Sequence, residues 1–228
     1  MTIAVLSWGA QQTLIQSLTS YRDLGLDVLD DERLIYFQQI SEDDIKIAQT
    51  FGYKWIGSID NVGIAEGYKT LVEEATGEYF LFLENDWLLI EDPLIVLKEA
   101  EYFLETTIID VVKLRHRATP GGPLWSRQYE GNELEHPEFL LDSIHWTEPD
   151  KFEQVRKVKH TSGSSWYLTS SKYANWSNNP HFVRTKWAKD IIVPRISGDI
   201  ERNLQSWWQE QNFQVLQGEG LFQHNRID

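Results

Sequence analysis

Residues 74 to 86 read Glu-Ala-Thr-Gly-Glu-Tyr-Phe-Leu-Phe-Leu-Glu-Asn-Asp. Glu78 to Leu83 carries an unbroken apolar run from Tyr79 onward, the strongest strand signal in the chain. A strand with apolar side chains on both of its faces belongs in the middle of a covered, mostly parallel sheet. Upstream, Ala65 to Ala75 has helical spacing, and Gly77 stands where a helix commonly stops. Downstream, Glu84-Asn85-Asp86 interrupts the apolar character before Trp87-Leu88-Leu89-Ile90 restores it.

The same alternation extends outward. Ile3 to Ser7, Leu34 to Phe37, Tyr53 to Ile56 and Asp110 to Leu114 read as short buried strands. Between them, Gln11 to Leu24 repeats apolar residues at Leu14, Ile15, Leu18 and Tyr21, and Ser41-Glu42-Asp43-Asp44 opens a helix that ends near Gly52. Pro93 to Glu105 reads as a helix with proline in its first turn. Strand–helix alternation predicts an α/β fold with a mostly parallel central sheet and helices on both faces. Ligands of such sheets bind beyond the carboxyl ends of the strands. That directs attention to Ser7-Trp8, Gln38-Gln39, Ser58-Ile59-Asp60-Asn61 and Glu84-Asn85-Asp86.

Residues 116 to 160 break the rhythm, with Thr119-Pro120-Gly121-Gly122-Pro123 as a clear loop. Ser164 to Thr169 then reads as a strand and Asp199 to Asn212 as a helix. Phe213 to Leu216 and Gly220 to Gln223 read as two short closing strands. The expectation is one domain over residues 1–228, with a regular half over 1–115 and a less regular half over 116–228.

The formal net charge of -14 repels phosphate backbones and anionic lipid, so nucleic acid is excluded as a partner. A phosphorylated ligand then needs local neutralisation by a metal, a helix N-terminus or arginines. The chain has no cysteine, which rules out disulfides and thiolate metal sites and suits a cytoplasmic location. No apolar run reaches the ~18–20 residues of a membrane-spanning helix, and Thr2 to Leu6 is too short for a signal sequence. Of ten tryptophans, Trp125, Trp146, Trp166, Trp176, Trp187, Trp207 and Trp208 follow residue 120. They are read first as core, with one or two expected to offer a flat face to a sugar ring.

Four groups carry candidate chemistry. Glu84-Asn85-Asp86 puts two carboxylates at a strand end, where Mg²⁺ or Mn²⁺ takes oxygen ligands together with substrate phosphates; the same residues would also serve as a polar turn capping the strand. Asn61-Val62-Gly63 enters a helix, so backbone there can approach an anion; it is equally an ordinary turn. Gly198-Asp199-Ile200-Glu201 starts a helix, either as a cap with an acidic first turn or as a general base. His224 follows a short apolar segment and is read as a structural histidine or a metal ligand.

Taken in order, these groups resemble the family-2 type of GT-A-fold glycosyltransferases. Asn61-Val62-Gly63-Ile64-Ala65 running through Ala75-Thr76-Gly77-Glu78-Tyr79 into Glu84-Asn85-Asp86 is similar to that family's Asn-x-Gly, Ala-x-Gly-Glu-Tyr and Asp-x-Asp elements. The resemblance implies that Asp86 binds the metal and that Glu84 faces ribose or metal. It implies that Glu201, or failing it Asp199, is the base, and that His224 completes the metal shell. Ser7, Trp8, Gln38, Asp60, Asn61, Gly63, Glu84 and Asn85 would then contact the donor. The implied activity is transfer of a sugar from a nucleotide diphosphate sugar, a UDP-sugar first, with Mn²⁺ or Mg²⁺, to the hydroxyl of a carbohydrate or glycan acceptor, with inversion. A sugar-nucleotide nucleotidyltransferase and a non-catalytic carbohydrate-binding module are the rivals. The chain is expected either as a piece of a longer multidomain polypeptide or as a minimal enzyme.

Overall fold

A computed structural model describes residues 1–29, 31–122 and 149–225. Trp125, Trp146 and Pro123 lie outside the described residues. The strands are β1 (Thr2–Trp8), β2 (Glu32–Gln38), β3 (Lys54–Gly57), β4 (Tyr79–Glu84), β5 (Trp87–Leu89), β6 (Val111–Arg115), β7 (Gly121–Gly122), β8 (Arg156–Lys159), β9 (Ser165–Ser170), β10 (His181–Arg184) and β11 (Gln214–Asn225). The helices are α1 (Gln11–Asp23), α2 (Glu42–Phe51), α3 (Ile64–Glu74), α4 (Pro93–Thr106) and α5 (Ile200–Gln211), with an irregular helical segment over residues 185–192. Among the described residues the strands form one sheet in the order β3-β2-β1-β4-β10-β6-β11-β9-β8, while β5 and β7 pair onto β11.

β3, β2, β1 and β4 run parallel, as their apolar character requires. β10 slots between β4 and β6 and runs antiparallel to both. Strand parity sorts the side chains into two cores. Ile3, Val5, Leu81 and Leu83 point to the face covered by α1, α2 and α4. Ala4, Leu6, Phe80 and Phe82 point to the face covered by α3, α5 and the 185–192 segment. No helix of the described residues is long and apolar enough to cross a membrane.

Local signals explain the helix ends, with one correction. Ser41 caps α2 in a full capping box with Asp44, and Gly52 closes it in the left-handed conformation. α3, by contrast, does not stop on Gly77. It ends at Glu74, with Ala75 already extended. Gly77 is needed for a different reason: a Cβ there would lie 2.6 Å from the Met1 carbonyl carbon and the Thr2 nitrogen, so the approach to β1 admits no side chain. The two closing strands read from the sequence are one strand, β11, whose register shifts between Gln217 and Phe222 around Gly220 (φ +90°). β5, β8 and β10 had no counterpart in the sequence reading, and neither did β7, two residues of the 119–123 loop that pair with β11. Of the eight tryptophans among the described residues, Trp87, Trp166, Trp176 and Trp208 are fully buried, Trp187 and Trp207 pack partly buried against the second core, and Trp8 and Trp55 are exposed.

At the centre of the second core sits His181, wholly buried on β10. Its Nδ1 lies 2.9 Å from the Asn179 carbonyl, which can only accept, so Nδ1 carries the proton. Nε2 then accepts from the Tyr68 hydroxyl at 3.1 Å. Burial, and next the positive charge of Lys113, push its pKa down to about 3. The unfolded chain, with an ordinary histidine pKa of about 6.5, therefore binds a proton that the folded chain refuses. Stability is expected to fall as pH drops from about 6.5 toward 3, by up to about 1.4 kcal/mol per pH unit from this one group. Denaturant unfolding across that window should show a steeper pH dependence for the wild type than for His181→Phe; equal slopes would refute the assignment.

Candidate active site

A cavity of about 570 Å³ opens at the carboxyl ends of β1, β2 and β4. The pleat decides which strand residues reach it. Leu6 and Trp8 of β1 and Glu84 of β4 line it, and Gln38 joins them from β2. All four share the face that carries Tyr36 and Phe82. Ser7 points the other way and is buried, so it lies off the cavity. Asp60 is also off it, exposed in the turn where its carbonyl accepts from the Ser58 hydroxyl at 2.7 Å. Trp8 is 58% exposed, unlike the tryptophans of the core, and its indole N–H donates to Gln39 Oε1 at 2.9 Å. Gly63, at the start of α3, also lines the cavity. Its N–H is shared between Gln38 Oε1 at 2.8 Å and Asn61 Oδ1 at 2.9 Å.

The Glu84-Asn85-Asp86 turn is held from below by α1. Ser17 donates to the Asn85 carbonyl at 2.9 Å, and Tyr21 donates to the Trp87 carbonyl at 2.7 Å. It is held from the side by β11, whose pairing with β5 sets His224 opposite Trp87. The Asn225 N–H donates to the Asp86 carbonyl at 2.7 Å. As a result His224 Nε2 lies 3.0 Å from Asp86 Oδ2, across 138 residues of sequence. The other oxygen, Asp86 Oδ1, is buried and has no hydrogen-bond partner among the described residues. An orphaned carboxylate oxygen beside an imidazole nitrogen fits a divalent cation, which both would ligate. Among the described residues no third histidine, aspartate or glutamate joins them into a complete cluster. Oxygens of a bound substrate are the natural remaining ligands for Mg²⁺ or Mn²⁺.

Glu84 makes no such contact. Burial, then the charges of Asp86 and Glu201, hold its carboxyl well above the ordinary carboxylate range. Asp199 and Gly198 form the cavity wall at the start of α5. Asp199 caps that helix, accepting from the Arg202 N–H at 3.1 Å. Glu201 is not among the lining residues; its Oε1 accepts from the Asn178 N–H at 2.8 Å. Sequence reasoning passed over Ala10 and Thr13, which line the cavity from the first turn of α1. That helix has no capping side chain and no acid in its first turn, so its leading N–H groups are open to an anion. The missing acid was a visible signal.

No protein-family model matches the chain, and no curated protein does. Solved structures do match. S. aureus TarS superposes with a TM-score of 0.60 at 14% identity over 99% of this chain and 37% of that one. Its residues 1–349 give 0.59 at 14% identity, covering 99% of this chain and 60% of that one. Glucosyl-3-phosphoglycerate synthase from Mycobacterium tuberculosis gives 0.53 at 14% identity, over 100% of this chain and 73% of that one. The fold is the GT-A fold. The chain spans less than two thirds of the length of either TarS structure. In a GT-A sheet the cavity described above sits at the strand ends where ligands of open α/β sheets bind.

The raised pKa of Glu84 carries a sign that can be tested on the ligand-free protein. The folded state holds this proton more tightly than the unfolded state. Stability is therefore full below the ordinary carboxylate pKa and is lost as pH rises through Glu84's elevated value. Glu84→Gln keeps the shape without the charge, so it should raise the melting temperature at pH 8 more than at pH 4.5. An equal effect at both pH values would show that Glu84 ionises normally.

Proposed function

We propose that the protein is a glycosyltransferase that moves a sugar from a nucleotide diphosphate sugar to an acceptor hydroxyl with inversion. One observation carries this: an Asp86 carboxylate with a buried, unpartnered oxygen lines a strand-end cavity and lies against His224 behind it, and among the described residues the lining holds three acids and no lysine or arginine. A diphosphate is repelled by such a lining unless a cation accompanies it. The glucosyl-3-phosphoglycerate synthase has been solved with Mn²⁺, UDP and phosphoglyceric acid, at a TM-score of 0.53 and 14% identity, which supports the same ligand class here.

In this scheme Asp86 and His224 would hold Mn²⁺ or Mg²⁺. The cation, when bound, supplies positive charge against the developing charge of the leaving diphosphate. The N–H groups of Ala10 to Thr13 at the start of α1 face the same charge. Trp8 offers its exposed face to the nucleobase, a UDP base first, while Gln38, Asn61 and Gly63 bind the nucleoside from β2 and α3. Glu84 and Asn85 orient the ribose and diphosphate. Ser7 and Asp60 act only through the backbone they share with these contacts. Asp199 is assigned as the base, ahead of Glu201, because it lines the cavity. It takes the proton from the acceptor hydroxyl as that oxygen bonds to the anomeric carbon and the bond to the diphosphate oxygen breaks. Glu201, bonded to Asn178, holds the start of α5.

Calorimetry with UDP and Mn²⁺ tests the binding half. Asp86→Ala and His224→Ala should each weaken UDP binding in Mn²⁺ by at least about tenfold (~1.4 kcal/mol) and leave the small metal-free affinity unchanged. Wild-type affinity in Asp86→Ala would remove the core of the proposal.

The chemical half is tested separately. Asp199→Ala should keep UDP binding and slow release of UDP from a UDP-sugar by roughly 10²–10⁴-fold. Glu201→Ala should lose far less. The reverse order would assign the base to Glu201.

A further inference from the structure

No regular helix or strand covers residues 174–179 between β9 and β10, yet Ala174, Trp176, Ser177 and Asn178 are buried. A buried segment without secondary structure must find partners for its polar groups elsewhere. Here side chains supply them, one residue after another. From α5, the Trp208 indole donates to the Ala174 carbonyl at 2.7 Å, and Gln209 Nε2 donates to Asn175 Oδ1 at 3.2 Å. Gln205 takes both backbone groups of Trp176: its Oε1 accepts from the N–H at 3.1 Å, and its Nε2 donates to the carbonyl at 2.5 Å. Glu201 accepts from the Asn178 N–H at 2.8 Å. From the sheet, Lys113 donates to the Ser177 hydroxyl at 2.8 Å and carbonyl at 3.1 Å, and His181 Nδ1 donates to the Asn179 carbonyl at 2.9 Å.

Positions 201, 205, 208 and 209 fall on one face of a helix. Burial of Leu204 and Trp208 draws α5 onto the sheet, but apolar packing has no direction. Hydrogen bonds do, so the bonds to residues 174–178 set how far α5 is turned and slid. Lys113 and His181 stand on β6 and β10, and His181 faces Phe82 of β4, two residues before Glu84. The segment thus ties α5 to the strand that leads into the acids. This matters at one residue. Asp199 lines the donor cavity from the N-cap of α5, and its carboxylate accepts from the Arg202 N–H of the same helix. Its place in the cavity is therefore decided by where α5 stands. A helix moves as a rod, so a shift at residue 205 is carried through the first turns to residue 199.

We propose that residues 174–179 are a brace that positions Asp199, and that Gln205 is the positioning residue through which α5 is registered against it. The assignment rests on the reading of Asp199 as the base. Gln205 does not line the donor cavity and touches no reacting atom. It acts through the helix alone. A base that stands about an ångström out of place still takes up a proton, but no longer in line with the acceptor hydroxyl. The loss then falls on turnover and not on donor binding.

The test uses the full chain as wild type, Gln205→Leu, Asp199→Ala and the double variant. Leucine suits the helix and removes both bonds to Trp176. UDP binding with Mn²⁺ is measured first by calorimetry. Wild type that binds no UDP, or releases none from UDP-glucose, counts against the donor reading, and hydrogen exchange alone then judges the brace. The Arg202 and Asn203 amides, which bond the Asp199 carboxylate and carbonyl, are expected to exchange at least about tenfold faster in Gln205→Leu. Unchanged exchange would overturn the proposal. With UDP-glucose and Mn²⁺, Gln205→Leu is expected to lower kcat for UDP release roughly 10–100-fold, with KM and UDP affinity unchanged. In the Asp199→Ala background the same substitution should change kcat by less than about twofold, because the group it positions is gone. An equal loss in both backgrounds would show that Gln205 serves only the fold, and would overturn the proposal. So would wild-type kcat in Gln205→Leu.

Discussion

The amide of Asn225 donates to the carbonyl of Asp86, and the mouth of the cavity depends on that contact. It is the last link of a pairing in which His224 faces Trp87, Gln223 faces Leu88 and Phe222 faces Leu89. With it, an imidazole and a carboxylate from distant parts of the chain are held at 3.0 Å. The supports are redundant. The Pro120 carbonyl receives the His224 N–H at 3.1 Å, and Arg115 Nε donates to the same carbonyl at 2.9 Å. The Arg115 guanidinium lies 5.3 Å from the centre of the Trp87 ring, whose own neighbour at 4.7 Å is the His224 ring. Side chains fixed from several directions lose little freedom when a ligand arrives, which is the condition for a preorganised site.

That rigidity is built from two directions of the sheet. α1 reaches the 84–89 turn through Ser17, Ser20 and Tyr21, which bond the Asn85 carbonyl, the Leu89 N–H and the Trp87 carbonyl. The parallel half of the sheet therefore supplies the floor and the acids. The antiparallel strand β11 supplies the histidine. Neither half makes the site alone, although each has its own apolar support.

The parallel half was legible in the sequence because its signals are local. Each buried strand is an apolar run, and two of the helices carry their own side-chain caps, Ser41 for α2 and Asp92 for α4. β10 was not legible. His181-Phe-Val-Arg184 is too short to show a period, and its insertion between β4 and β6 is decided by pairing with residues far along the chain. β8, Arg-Lys-Val-Lys, reads as polar because it is an edge strand, where cations guard against further pairing. In the site, residue type was visible but pleat parity was not. Ser7 and Trp8 look alike as neighbours after a strand, yet only Trp8 shares the face of Leu6 and Glu84. Gly77 misled for the same reason: a helix stop and a close strand approach ask for the same residue, and only the distance to Met1 and Thr2 separates them.

The electrostatic character of the cavity follows from where the positive charges were spent. Lys113 is buried under Ser177, donating to its hydroxyl at 2.8 Å and to its carbonyl at 3.1 Å. Arg115 is committed to the Pro120 and Gly121 carbonyls. Neither lines the cavity, where the charged groups among the described residues are Glu84, Asp86 and Asp199. Burial, and after it the charges of Asp86 and Glu201, hold the Glu84 carboxyl above its ordinary range, so further negative charge is unwelcome there. Two like unit charges 4 Å apart at a protein surface cost about 4 kcal/mol. A diphosphate entering alone would meet that repulsion from more than one acid, with the open N–H groups of α1 as the counterweight among the described residues. A divalent cation between Asp86 and the diphosphate reverses the sign of the largest of these interactions. On the proposed function, the metal would thus strengthen nucleotide binding in this cavity, before any part it takes in the transfer.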